Sequence, residues 1–143
     1  MSEREMDDSE VLLRIYEGAR QLLADPKSWT KRSLAMDRAG NHVLPNDTGA
    51  CQWCALGALD RAYFAAFPDR EMDVIKSDDV EDYFQLAART ELRNIIWGKT
   101  GGDFGSVARF NDHDDTEHPH ILLMLDSAID KFGKVVQANA DVR

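Results

Sequence analysis

Two dense segments, far apart in the chain, hold most of the side chains capable of chemistry. The first is Ala50-Cys51-Gln52-Trp53-Cys54-Ala55-Leu56-Gly57-Ala58-Leu59. The second runs from Phe110-Asn111-Asp112 through His118-Pro119-His120 to Ile129. Together they carry both cysteines and three of the four histidines. Cys51 and Cys54, three apart, with His118 and His120 would offer zinc a tetrahedral set of sulfur and nitrogen ligands, and His113 stands close by in sequence. Zinc motifs, however, usually place the cysteine pair on a tight knuckle, whereas Trp53, Ala55 and Leu56 surround this pair with packing residues. Free cysteine is among the most buried residue types, so a packing role for both thiols is the stronger expectation and no cofactor is expected.

A cysteine nucleophile is the other chemistry the pattern allows. Cys51 in a first helical turn would have its thiol pKa lowered by the positive helix end. His118 or His120 would then serve as base, oriented by Asn111 or Asp112. The same residues also read as caps and packing groups. Asn and Asp before a helix satisfy loop amides and orphan helix donors, and histidines at a helix start favour the neutral form. Gly98-Lys99-Thr100-Gly101-Gly102 resembles a phosphate loop only in part. Arg93 stands where the first glycine belongs, and the segment follows a helix rather than a strand.

At 143 residues and 43% hydrophobic content the chain suits one domain, residues 1–143, with a core of its own. There are 17 basic and 26 acidic residues, a net charge of −9. That balance repels nucleic acid and anionic membrane surfaces and favours a basic protein partner. Acidic runs at Glu3 to Asp8, Asp78 to Asp82 and Asp112 to Glu117 read as solvated faces, with mimicry of nucleic acid as the sharper alternative. No apolar run suits a signal peptide or a membrane span, and two cysteines make no secreted disulfide framework. A cytoplasmic protein is the expectation.

The elements that position these residues are mostly helical. Leu12, Ile15, Tyr16, Ala19, Leu22 and Leu23 recur at helical spacing, with Asp7, Asp8 or Ser9 as cap and Pro26 as stop. Asp25-Pro26 can open a short helix. Asp37 to Asn41 is turn-like, which allows one short hairpin near residues 35–45. The spacing predicts a second helix from about Ala50 to Phe67, with Leu56, Leu59, Tyr63 and Phe67 on one stripe. Cys54, Ala58, Ala62 and Ala66 form a second stripe of small residues, and Asp60 and Arg61 mark the wet side. A third helix starts at Ser77 to Asp79 and stops at Gly98, with Val80, Tyr83, Phe84, Ala87, Leu92, Ile95 and Ile96 as its apolar set. Ser106 to Phe110 makes one helical turn. The last helix begins between Thr116 and Pro119 and runs to about Val136, with residues 1–8 and 137–143 frayed. The expected architecture is mainly α: one compact domain of four to five helices.

With these motifs placed, the chain resembles a family of small uncharacterised bacterial proteins. Its members carry a Trp-Cys-Ala-Leu-Gly-Ala-Leu-like segment, here Trp53 to Leu59. Further on they carry a Phe-Asn-Asp segment, here Phe110 to Asp112, and a helix ending like Met124 to Ile129. The likeness spans Leu12 to about Phe132 and implies no particular activity. Glu117-His118-Pro119-His120 departs from the threonine and acid that the family tends to place before its last helix.

The expected fold brings the two segments together, with Cys54, Gly57 and Ala58 admitting the last helix or the Asn111-Asp112 segment. The candidate motif residues are therefore Cys51, Trp53, Cys54, Asn111, Asp112, His118 and His120. The leading expectation is a non-catalytic accessory or binding module acting through a protein partner. The alternative is a small-molecule or metal site built from Cys, His and Asp, with hydrolytic chemistry.

Overall fold

A computed structural model describes residues 7–68 and 83–142. The elements in order are α1 (Asp8–Leu22), a short 3-10 turn (Pro26–Ser28), β1 (Ala35–Asp37), β2 (Ala50–Trp53), α2 (Ala55–Ala66), α3 (Tyr83–Lys99), α4 (Val107–Asp112) and α5 (His118–Val142). The mainly α architecture with one small antiparallel hairpin is as expected. The connector with Met72, Val74 and Ile75, the start of the third helix at Ser77 to Asp79, and Val80 lie outside the described residues.

Helix α1 is the hub. Asp7 caps it by accepting from the Glu10 amide at 3.0 Å. Val11, Leu12, Ile15, Tyr16 and Ala19 then turn inward, as their spacing predicts. Removing such side chains from water contributes roughly 1.5–3 kcal/mol each. The helix lies against α2 on one side and α5 on the other, with α3 touching all three. Tyr16 ties them together. Its ring stacks on Phe132 of α5 at 5.7 Å, and its hydroxyl donates to the Ala88 carbonyl of α3 at 2.6 Å. Burial holds that phenol far above its usual pKa, with the Glu91 charge adding to the effect.

The hairpin forms around Asp37 to Asn41. The Asp37 carboxylate accepts from the amides of Ala39 and Asn41, and Gly40 adopts φ +85°. The Asn41 amide is the main cause of a lowered Asp37 pKa. On its other edge β1 pairs with β2 in the register Ala35↔Trp53, Met36↔Gln52 and Asp37↔Ala50. Cys51 is the extra residue where that register shifts, a β-bulge.

This pairing corrects the second helix. It does not begin at Ala50: residues 50–53 are strand, and Cys54 is the N-cap of α2. The expected Asn111 segment does reach the start of α2, at the Ala55 amide, but further along the small stripe the close neighbour is α1. Gly18 of α1 approaches Ala62, where an added Cβ would come within 3.1 Å. The last helix does not fill the gap at Gly57, which admits the backbone of Leu34. A Cβ there would sit 1.7 Å from the Leu34 carbonyl oxygen. Asp60 is also corrected. It does not face water but is buried, held by Arg89 at 2.6 Å and Gln85 at 3.0 Å from α3. In α3 Leu92 and Ile96 are buried as expected and Phe84, Ala87 and Ile95 pack against the core, but Tyr83 is exposed and Gln85 and Ala88 are buried beside them. That helix continues through Gly98 to Lys99.

Gly57→Ala forces the Leu34 strap off α2 and is expected to cost about 3 kcal/mol or more in urea denaturation. Gly133→Ala, a helical site with nothing within 4 Å of the added carbon, is expected to stabilise by about 0.5–1 kcal/mol. Equal stability of the two variants would refute the close approach at Gly57.

Candidate functional site

Helix α4 is short, yet it delivers the central polar contact. Ser106 caps it by accepting from the Arg109 amide at 3.0 Å. The single turn that follows buries Val107, Phe110 and Asn111. Asn111 is fully buried and its amide is saturated. Its Oδ1 accepts from Trp29 Nε1 at 2.7 Å and from the Ala55 amide at 3.0 Å. Its Nδ2 donates to the Thr30 carbonyl at 3.1 Å and to Asp112 Oδ1 at 3.0 Å. Ala55 is the first residue of α2, so Asn111 meets one of the orphan donors of that helix. Asp112 Oδ1 in turn accepts from the Arg32 amide at 2.8 Å, holding Arg32 at φ +64°. Lys31 Nζ donates to the His113 carbonyl at 2.6 Å. The Trp29–Arg32 segment is thus stapled to the end of α4.

The two motif segments therefore meet, and the meeting is structural. Cys54 Sγ accepts from the Gly57 amide at 3.3 Å as the α2 cap. Burial pushes its thiol up to about 11, and the carboxylates of Asp112 and Asp60 push the same way. Activated thiols need an electropositive setting, so this one stays protonated at neutral pH. Cys51 lies half-buried on the bulge beside Asp37, Arg38, Thr48 and Gly49 rather than in a helical turn. Trp53 is buried, its indole donates to the Pro45 carbonyl at 2.9 Å, and Arg61 lies over its ring at 5.8 Å.

The histidines diverge. His118 Nε2 donates to the Leu23 carbonyl at 2.6 Å, and its ring lies 6.1 Å from Trp29. His120 turns the other way. Its Nδ1 accepts from the Glu117 amide at 2.9 Å, the return bond of a capping box made by an imidazole. That bond, rather than one from Thr116, serves the start of α5. His113 Nδ1 accepts from the Asp115 amide at 3.1 Å. An accepting Nδ1 puts the proton of a neutral ring on Nε2 in both residues. Among the described residues, no group of three or more His, Cys, Asp or Glu is placed to hold a metal ion.

An open cleft of about 740 Å³ lies between the α3–α4 loop, α4 and the start of α5. Phe104, Phe110, Leu123 and Met124 form its apolar wall. Thr100, Asp103, His113, Asp115, Thr116 and His120 supply its polar groups. Phe104 packs edge-on against Phe110 at 5.4 Å and against His113 at 5.1 Å. Sequence reasoning singled out His113 and His120 but missed Phe104, Thr116 and Leu123. The signal was present in Gly101 to Gly105, a loop whose phenylalanine has no helix of its own to cover it.

Asn111→Ala removes all four bonds, leaving the buried Ala55 amide and the half-buried Trp29 indole and Thr30 carbonyl unmet, and is expected to cost about 3–5 kcal/mol in chemical denaturation; a loss under about 1 kcal/mol would contradict the saturated amide. Asn111→Asp also destabilises, because it removes both donors and sets a second charge beside Asp112. For Cys54, the raised pKa makes its contribution to stability full below the usual thiol value of 9.0 and lost as pH climbs toward 11, roughly 2–3 kcal/mol in total. Urea midpoints from pH 8 to 11 should therefore fall more steeply for the wild type than for Cys54→Ser. Native Cys54 should alkylate at pH 8 roughly a hundredfold more slowly than in the unfolded chain.

Comparison with known proteins finds no matching curated protein and no matching solved structure. A family model does match, over residues 8–131. That span takes in α1, both motif segments and the cleft, and it shows that the chain belongs to DUF6197, a family of unknown function.

Proposed function

We propose that this chain is a non-catalytic binding module that acts through a protein partner. The observation that carries this reading is the contrast between the motif residues and the cleft. Asn111, Asp112, Cys54 and His118 are engaged in bonds that hold the fold. The cleft beside them is open and walled by aromatic and aliphatic side chains, with Leu123 at 54% exposure. An apolar pocket with a few convergent polar groups is the ordinary form of a binding site. The net charge of −9 favours a basic partner over nucleic acid. No described helix is long and apolar enough to cross a membrane, and the two cysteines are unpaired, which fits a reducing cytoplasm.

Photocrosslinking in cells tests this. A benzophenone side chain at position 123 should give one dominant adduct. The same group at Val135, exposed on the same helix, should not. Excess unlabelled protein should suppress the adduct, whereas protein carrying Asp115→Trp, which plugs the cleft, should not. Equal adducts from both positions, or suppression by the plugged protein, would refute the reading.

A further inference from the structure

Resting on the binding-module reading, we propose that the cleft receives the guanidinium of an arginine in a basic peptide segment of the partner. The cleft's charge is one-sided. Asp103 and Asp115 line it, and none of its lining residues is lysine or arginine. The acids that pair with cations in this part of the molecule lie elsewhere, as Asp114 does with Arg32. The side-chain carboxylates of Asp103 and Asp115 bond no described residue.

A second observation points independently to a ligand. Thr116 is only 5% exposed, lines the cleft, and its hydroxyl bonds no described residue. Its oxygen is not sealed off, since the fully enclosed unpartnered side-chain atoms among the described residues are Gln85 Oε1 and Arg89 Nε, so the hydroxyl opens onto the cleft and can meet a group that enters it. The exposed imidazoles offer two further donors at the rim. His113 and His120 each engage Nδ1 with a backbone amide, so each leaves an Nε2–H with no protein acceptor. These donors suit the carbonyl oxygens that flank an arginine in a peptide. Phe104, half-buried and braced edge-on by the buried Phe110, offers the aromatic surface on which a planar, weakly hydrated guanidinium stacks. A lysine ammonium, compact and strongly hydrated, makes less of that surface. The same tautomers disfavour a metal in the cleft, since coordination through Nε2 would require each ring to give up its backbone bond or become an imidazolate.

The test is an NMR titration of the full chain with N-acetyl-arginine N-methylamide. The citrulline and lysine derivatives serve as comparators. Arginine should give saturable amide shifts at Phe104, His113 and Thr116. The citrulline derivative, neutral and of the same shape, should bind at least tenfold more weakly. The Asp103→Asn/Asp115→Asn double variant should weaken arginine at least tenfold, leave citrulline unchanged, and melt with the wild type. Equal binding of arginine and citrulline, equal binding of arginine and lysine, or the absence of saturable shifts in the cleft would overturn the proposal. If the crosslink from position 123 persists beside any of those results, the binding-module reading stands and only the arginine falls. If the crosslink fails as well, both fall together.

Discussion

One carboxamide organises this molecule. Asn111 joins the Trp29–Thr30 strap, the first turn of α2 and the end of α4 through a single planar group with two donors and two acceptors, all used. A buried polar network of this kind favours one arrangement of its segments, because any other leaves groups unpaired away from water. Aspartate would lack the donors, and leucine would leave the Trp29 indole and the Ala55 amide unmet. The strap can reach Asn111 only because Gly57 lets the Leu34 backbone pass against α2. The two residues belong to different motifs, yet they serve one junction.

That junction explains why the chemistry-bearing residues are placed as they are. Cys54 sits where the strand hands over to the helix, so its sulfur meets a backbone donor in a buried setting. His118 and His120 flank a proline at the head of α5, and their rings part toward different sides of the domain. The staple formed by Lys31 and Arg32 fixes the end of α4 and with it the floor of the cleft. The cleft therefore stands on a base fixed by hydrogen bonds.

Much of the fold was legible because helices write their burial into local spacing. Leu12, Ile15, Tyr16 and Ala19 face inward as their period demands, and Asp25-Pro26 opens its short turn. What escaped was set by distant partners. Ala50–Trp53 reads as helix because its strand partner, Ala35–Asp37, lies across a long loop and the pairing contains a bulge. Asp60 reads as a solvent-facing charge because Arg89 lies in another helix and leaves no mark in local periodicity. The close pass of Leu34 over Gly57 is a backbone contact, visible in sequence only as an unexplained glycine. In the site, Asn111 and Asp112 were legible as polar residues with work to do. The cleft was not, since its wall is assembled from a loop and two helices.

The ion pair between Asp60 and Arg89 has a bearing on how this chain can diverge. The Asp60 side chain is 3% exposed and that of Arg89 26%, so the carboxylate above all depends on its partner for compensation. Losing one partner strands the other, whereas exchanging both for apolar groups of similar volume can be tolerated. The dependence is unequal: Asp60, the more enclosed charge, tolerates the loss of its partner less than Arg89, which keeps some access to water. The pair also clamps α2 to α3 at a fixed phase, so the two helices cannot slide past one another while both charges remain.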